Sequence, residues 1–350
     1  MLRQLHRLTR SVPVAGPAAV ALAVYADAND QLVPARESGE EGVACVDDAA
    51  RGIVLLADLW AATGDPALRG WAAGLLDFLL YQQRSDGRFV NFIHDWGGAP
   101  NERGLTSVPG GAFWQARALS GLAKAWIVLD DERAEAAFVR ALGPVRAAPA
   151  AADVRSVQIR AVLEVVRAGR MPELRAELGP WCDELVATHD GDMLLDAPGT
   201  LHLWGHSQEA VLADAGSFLG RADLIRIARR SADLVFTPAI RSAFALPVVQ
   251  PYDIACAVDA MDRLAAVTGE AGYERLATDA RDWFDGRNSA GAPVYDRERG
   301  RVADGIDEGR VSRTSGAESN IVGAQALFAQ IVSTRRAASI AAPPELRAAG

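Results

Sequence analysis

ATGDPALRGWAAGLLDFL, residues 62–79, reads as the joint of a helical hairpin: an apolar helix stops at Gly64, Asp65 and Pro66 turn the chain, and an amphipathic helix follows. VTGEAGYERLATDARDWF at 267–284 and SFLGRADLIRIARRSADLVF at 217–236 follow the same plan. Apolar periodicity predicts helices in pairs at 45–61 and 66–83, 112–129 and 131–148, 152–168 and 172–187, 206–219 and 221–236, and 253–267 and 272–285. With further joints near Asp130 and Met171, the turns recur about every 50 residues, the spacing of stacked helical pairs.

A last apolar helix, 318–333, has no partner after it and could pair with the N-terminal segment, closing a ring. Strand signals are confined to short connections such as GRFVNFI at 87–93 and APVYD at 292–296, so the chain is expected to be all-α. In such a ring alternate helices form an inner barrel, and every inner helix starts at the same end. The starts are CVDDAAR (45–51), GGAFWQAR (110–117), WGHSQEA (204–210), QPYDIA (250–255) and SGAESN (315–320), and they would line one mouth.

Four of those five starts carry an acid. Capping of free backbone N–H groups accounts for a lone acid at such a position as well as catalysis does. It does not call for Trp114, Trp204, His206 and Tyr252 beside the acids, whereas a sugar pocket does, since aromatic faces stack on sugars and polar groups bind hydroxyls. Asp47, Asp48 and Glu318 are therefore the candidate catalytic residues. Asp47 and Asp48 point about 100° apart on a helix, so one of them, with Asp48 preferred, is expected to face the cavity. Candidate substrate-binding residues are Arg51, Trp114, Trp204, His206, Glu209, Tyr252 and Asp253, with Asn288 and Asp307 from the long Gly-, Asp- and Arg-rich connection 285–316.

Other classes are disfavoured. A formal net charge of -9 without clustered basic residues argues against nucleic acid as partner. Cys45, Cys182 and Cys256 are odd in number and lack metal or disulfide spacing, which suits a reducing, cytoplasmic setting. His202 and His206 are an isolated pair without a metal-site pattern, so no metal or other cofactor is expected, although the loop acids Asp304, Asp307 and Glu308 could hold calcium. No apolar run reaches the roughly 20 residues of a membrane span. The start, MLRQLHRLTRSVPVAGPAAVALAVYADA, has basic residues before an apolar run like a signal peptide, but Pro13 and Pro17 interrupt it and it reads as part of the domain. Residues 1–20 are taken as the ring-closing segment, 21–337 as the helical domain and 338–350 as a disordered tail.

EGVACVDDAARG (41–52), QPYDIACAVDA (250–260) and the run from DWFDGRNSAGAPVYD to DGIDEGRVSRTSGAESNIVGAQAL (282–327) resemble bacterial domains of the six-hairpin glycosidase-like kind, found alone or beside sugar transferases. The resemblance implies an (α/α)6 toroid and a carbohydrate-active protein, with the early acid at Asp47 or Asp48 and the late one at Glu318. Within that frame a glycoside hydrolase working by inversion is expected, with Glu318 as acid and Asp48 as base or the two roles exchanged, and with a polysaccharide lyase, a sugar epimerase or a silent glycan-binding domain as alternatives. A sugar transferase is the implied protein partner.

Overall fold

The computed structural model describes residues 1–341 except 37, 38 and 40. Helix α1 (Leu2–Leu8) precedes short ribbons and then the hairpin of α2 (Val46–Thr63) and α3 (Pro66–Gln82). Four more hairpins follow. They are α4 (Ala112–Lys124) with α5 (Glu132–Ala147), α6 (Ala152–Arg167) with α7 (Arg175–Val186), α8 (Gln208–Leu219) with α9 (Ala222–Arg241), and α10 (Pro251–Thr268) with α11 (Ala271–Arg281). The chain ends in α12 (Ala317–Ala326) and α13 (Phe328–Ala341). Residues 342–350 of the expected tail lie outside the described residues, and 338–341 belong to α13.

The even-numbered helices α2 to α12 each touch the next, and α12 touches α2, so the inner barrel is closed. α3, α5, α7, α9 and α11 back their partners from outside, and α1 takes the sixth outer place against α12. The result is an (α/α)6 toroid. The five joints share one backbone solution: Gly64, Gly220 and Gly269 adopt φ of 71°, 73° and 72°, and Asp130 and Met171 take the same left-handed region at 55° and 40°. Each glycine N–H returns to the last turn of its helix, closing carbonyls that would otherwise be left open.

Burial follows helical spacing. On α3 the residues Leu68, Ala72, Leu75 and Leu79 are buried against the barrel, and on α9 Leu224, Ala228, Val235 and Ile240 do the same. Each such large apolar side chain contributes on the order of 1.5–3 kcal/mol. The N-terminal residues Leu5, Leu8 and Val12 are buried as well, and the Met1 ammonium donates to the Gly300 carbonyl.

The helix expected at 318–333 is two helices. Leu327, at φ -102° and ψ 22°, interrupts it and sends α13 across α2. Apolar residues continue across the break, and neither Gly nor Pro marks it. The connection 285–316 is folded rather than loose. Tyr295–Asp296 pairs with Arg301–Val302, and Ile306–Asp307 pairs with both Arg310–Val311 and Val248–Val249.

The glycine of the SGAESN stretch has a packing reason. A Cβ on Gly316 would sit 2.4 Å from the Val24 carbonyl oxygen, at the point where α12 begins. Gly316→Ala is therefore expected to lower unfolding stability by about 1–3 kcal/mol through overpacking, read as an earlier urea midpoint. An unchanged midpoint would mean that the α12 start can move at no cost.

Candidate active site at the barrel mouth

The starts of the inner helices meet at one end of the barrel, and two arginines tie them together. Arg51, one turn into α2, donates to Asp48 at 2.8 Å and lies 3.5 Å from Glu318 on α12. Arg117, one turn into α4, donates to Asp47 at 2.9 Å and to the Tyr252 hydroxyl at 3.3 Å. Both guanidiniums lie near the Tyr252 ring, 5.3 and 5.7 Å from its centroid. Asn91 holds Asp47 from the other side, donating to its carboxylate and accepting its backbone N–H. Of the two acids Asp47 is the less buried. Each is held by its own arginine.

Their electrostatics differ sharply. Burial pushes Asp48 up to about 7, with the charges of Glu318 and Asp47 adding to the effect and Arg51 only partly opposing it. Burial acts on Asp47 too, but the charges of Arg117 and Arg51 outweigh it and hold this carboxyl below its usual value. Asp48 is only 2% exposed and also accepts from the Cys45 thiol, whereas Glu318 stands 41% exposed at the rim.

The other expected site residues fall into two groups. Tyr252 and Trp204 belong to the mouth, where Trp204 lies 5.8 Å from Phe113 and stacks on His202 at 3.8 Å. Asp253 sits there too but caps its own helix by accepting the Gln250 N–H, and burial raises it to about 6. Trp114 is turned away, donating to the Phe89 carbonyl, and its neighbour Phe113 carries the ring over Arg117 at 4.6 Å. His206 and Glu209 are fully buried. His206 donates from one nitrogen to Asp196 and from the other to Glu209, which also accepts from Ser231. Both acceptors being carboxylates, the ring is an imidazolium. Burial would lower its pKa, yet Glu209 and Asp196 raise it to about 10. Asn288 closes its own turn by donating to the Trp283 and Ala292 carbonyls, and Asp307 is an exposed strand residue.

Arg117, Asn91, Phe113 and His202 were not singled out as site residues from sequence. Arg117 had a usable signal, since it follows Phe113 by the same four residues that separate Arg51 from Asp47. Below the arginines a cavity of about 810 Å³ runs along the barrel axis, from Arg51, Arg117 and Tyr252 down to Ala62 and Phe328. The loop acids Asp304, Asp307 and Glu308 do not converge. Among the described residues one set of potential metal ligands does, Asp153, Asp196 and His202. No described helix is long and apolar enough to cross a membrane.

No sequence-family description matches the chain, and neither does any curated protein. Solved structures do. A sugar epimerase from a ruminal bacterium superposes with a TM-score of 0.69 at 12% identity, covering 95% of this chain and 99% of the other. A cellobiose 2-epimerase from Bacillus thermoamylovorans gives 0.71 at 10% identity, covering 94% and 96%. An inactive variant of a family 76 α-1,6-mannanase from Salegentibacter, with two successive Asp→Asn changes and bound α-1,6-mannotriose, gives 0.66 at 10% identity, covering 95% and 97%. The fold is that of the six-hairpin glycosidase-like toroids. In this six-hairpin chain the acids, arginines and aromatic rings all gather where the inner helices begin.

Proposed function

We propose that this six-hairpin protein is a carbohydrate-active enzyme that binds a sugar at the mouth and hydrolyses a glycosidic bond. The observation that carries the reading is a pair of adjacent carboxyls at the mouth held in different ways, Asp47 by Arg117 and Asn91 and Asp48 by Arg51 in a more buried setting, which raises Asp48 to about 7 and keeps Asp47 below its usual value. Groups driven apart in this way can serve as acid and base at the same pH. Asp48 gives its proton to the departing oxygen. Asp47, kept ionised by Arg117 and Asn91, takes a proton from the water that attacks the anomeric carbon. Rotation of Arg51 from Asp48 toward Glu318, already 3.5 Å away, would uncover the acid.

The pairing of Asp48 with Glu318 fits less well. One Arg51 nitrogen lies 2.8 Å from an Asp48 oxygen and 3.5 Å from a Glu318 oxygen, so it fills the gap between them. In this arrangement a guanidinium, and not a water, stands between the two carboxyls. Glu318 is better suited to binding sugar hydroxyls at the rim. The structural neighbours include a mannanase whose inactive form lacks two successive aspartates, a likeness in keeping with an Asp47–Asp48 pair.

A second reading, proton abstraction from a sugar carbon as in the neighbouring epimerases, draws on His202 and Tyr252 at the same mouth. Incubation with a panel of neutral and uronate oligosaccharides, followed by mass spectrometry, separates the two. Products heavier in sum by one water, and absent with Asp48→Asn, are expected. An isomer of unchanged mass, or a product with a new double bond, would overturn hydrolysis, and binding without any product would leave a glycan receptor.

A further inference from the structure

We propose that Asp153, Asp196 and His202 form a binding site for a divalent transition-metal ion of the zinc class on the rim of the mouth. One donor atom from each residue lies within 4.8 Å of the others. Asp153 starts α6, while Asp196 and His202 come from the connection that leads to α8, so the site joins two adjacent barrel segments.

Three features point to a ligand rather than a chance cluster. His202 Nδ1 lies 2.7 Å from the Trp204 carbonyl, and because a carbonyl can only accept, the proton is on Nδ1. In the neutral ring Nε2 then presents its lone pair, the second-shell arrangement that prepares an imidazole for a metal. That nitrogen faces Asp153 Oδ2 at 3.6 Å, too far for a hydrogen bond and close to the donor spacing of about 3.4 Å around an ion with bonds of about 2.0–2.2 Å. The Asp153 side chain is 7% exposed, and its Oδ2 accepts no hydrogen bond from any described residue.

The third ligand is braced for the role. Asp196 is 1% exposed, and its Oδ1 accepts from His206 and Gln208, which fixes the carboxylate plane, while its Oδ2 accepts the His202 backbone N–H and lies 3.6 Å from His202 Nδ1, so a small turn of the ring is needed to bring Nε2 and both carboxylates onto one ion. One imidazole with two carboxylates suits zinc, cobalt or manganese better than calcium, which takes 6–8 oxygens. His202 is 21% exposed, so an ion can reach it from solvent, and its stacking partner Trp204 and the acid Asp253 stand at the same mouth.

The alternative is a simple Asp153–His202 ion pair needing no ion. Titration of the untagged, chelator-treated full chain with Zn²⁺ by calorimetry, and with Co²⁺ by visible absorption, decides between them. One ion per chain is expected, with at least a tenfold loss of affinity in both His202→Ala and Asp153→Asn and no change in His189→Ala, whose histidine is exposed elsewhere. Far-ultraviolet dichroism checks that the variants are folded. Should one of them fail to fold, the wild-type cobalt spectrum still carries the decision, because a nitrogen- and oxygen-ligated ion at one equivalent differs from the hexaaquo ion. No binding, or binding unaffected by either ligand substitution, would overturn the site.

Discussion

His206→Gln is expected to lower unfolding stability by about 3–5 kcal/mol at pH 6, the usual loss when one member of a buried charge cluster is removed. The cause is local. Asp196 and Glu209 would remain as two buried carboxylates on either side of a neutral amide, and Ser231 would be the hydroxyl left to satisfy Glu209. The pH dependence has a definite sign. The folded value of about 10 stands above the ordinary 6.5, so the folded chain holds this proton more tightly than the unfolded one. The imidazolium's contribution is complete below pH 6.5 and is lost as pH rises through about 10. Urea unfolding at pH 6 and pH 10 should therefore show a wide gap between wild type and variant that narrows at the higher pH. A gap of equal width at both would mean that the ring is not charged in the fold.

The second large effect concerns Asp48→Asn, which on the hydrolytic reading should reduce turnover by about 10²–10⁴-fold. The same variant should gain stability relative to wild type as pH rises from 5 to 8. Burial raises Asp48 from 3.8 to about 7, so the folded chain resists ionising this group. Wild-type stability contributed by the protonated form is complete below pH 3.8 and is lost as pH rises through about 7. Asparagine has the shape of the protonated acid and never ionises. A thermal unfolding comparison at pH 5 and pH 8 checks this: a variant that gains nothing on wild type between the two values, or that keeps full turnover, removes Asp48 from the role. Loss of activity with gain of stability is the pattern of a group held in a costly state for chemistry.

Much of this was readable in the sequence because it is local. The glycine joints, the paired apolar periods and the acids at helix starts each depend on a few neighbouring residues, and the toroid follows from repeating them. Arg51, Asp47, Asp48 and Glu318 were found because helix starts in a ring must converge. The residues that were harder to see act over distance. Arg117 meets Asp47 across 70 residues and Asn91 meets it across 44, pairings no short window contains. Trp114 and Phe113 are adjacent, and only packing decides which ring turns to the mouth. The break at Leu327 lacks a marker because the apolar pattern runs on through it.

The position of α1 also bears on how the chain assembles. Its partner α12 begins more than 300 residues later, at Ala317, so the sixth pair of the ring is completed by a contact between the first helix and the last inner one. At synthesis rates of about 5–20 residues per second, α1 waits tens of seconds for that partner. During that interval five hairpins can stack in order, each on the one before. α1 meanwhile remains without the α12 face it packs on in the finished ring. Closure is thus a late and non-local event, the class of step that slows folding and leaves apolar surface open to other chains.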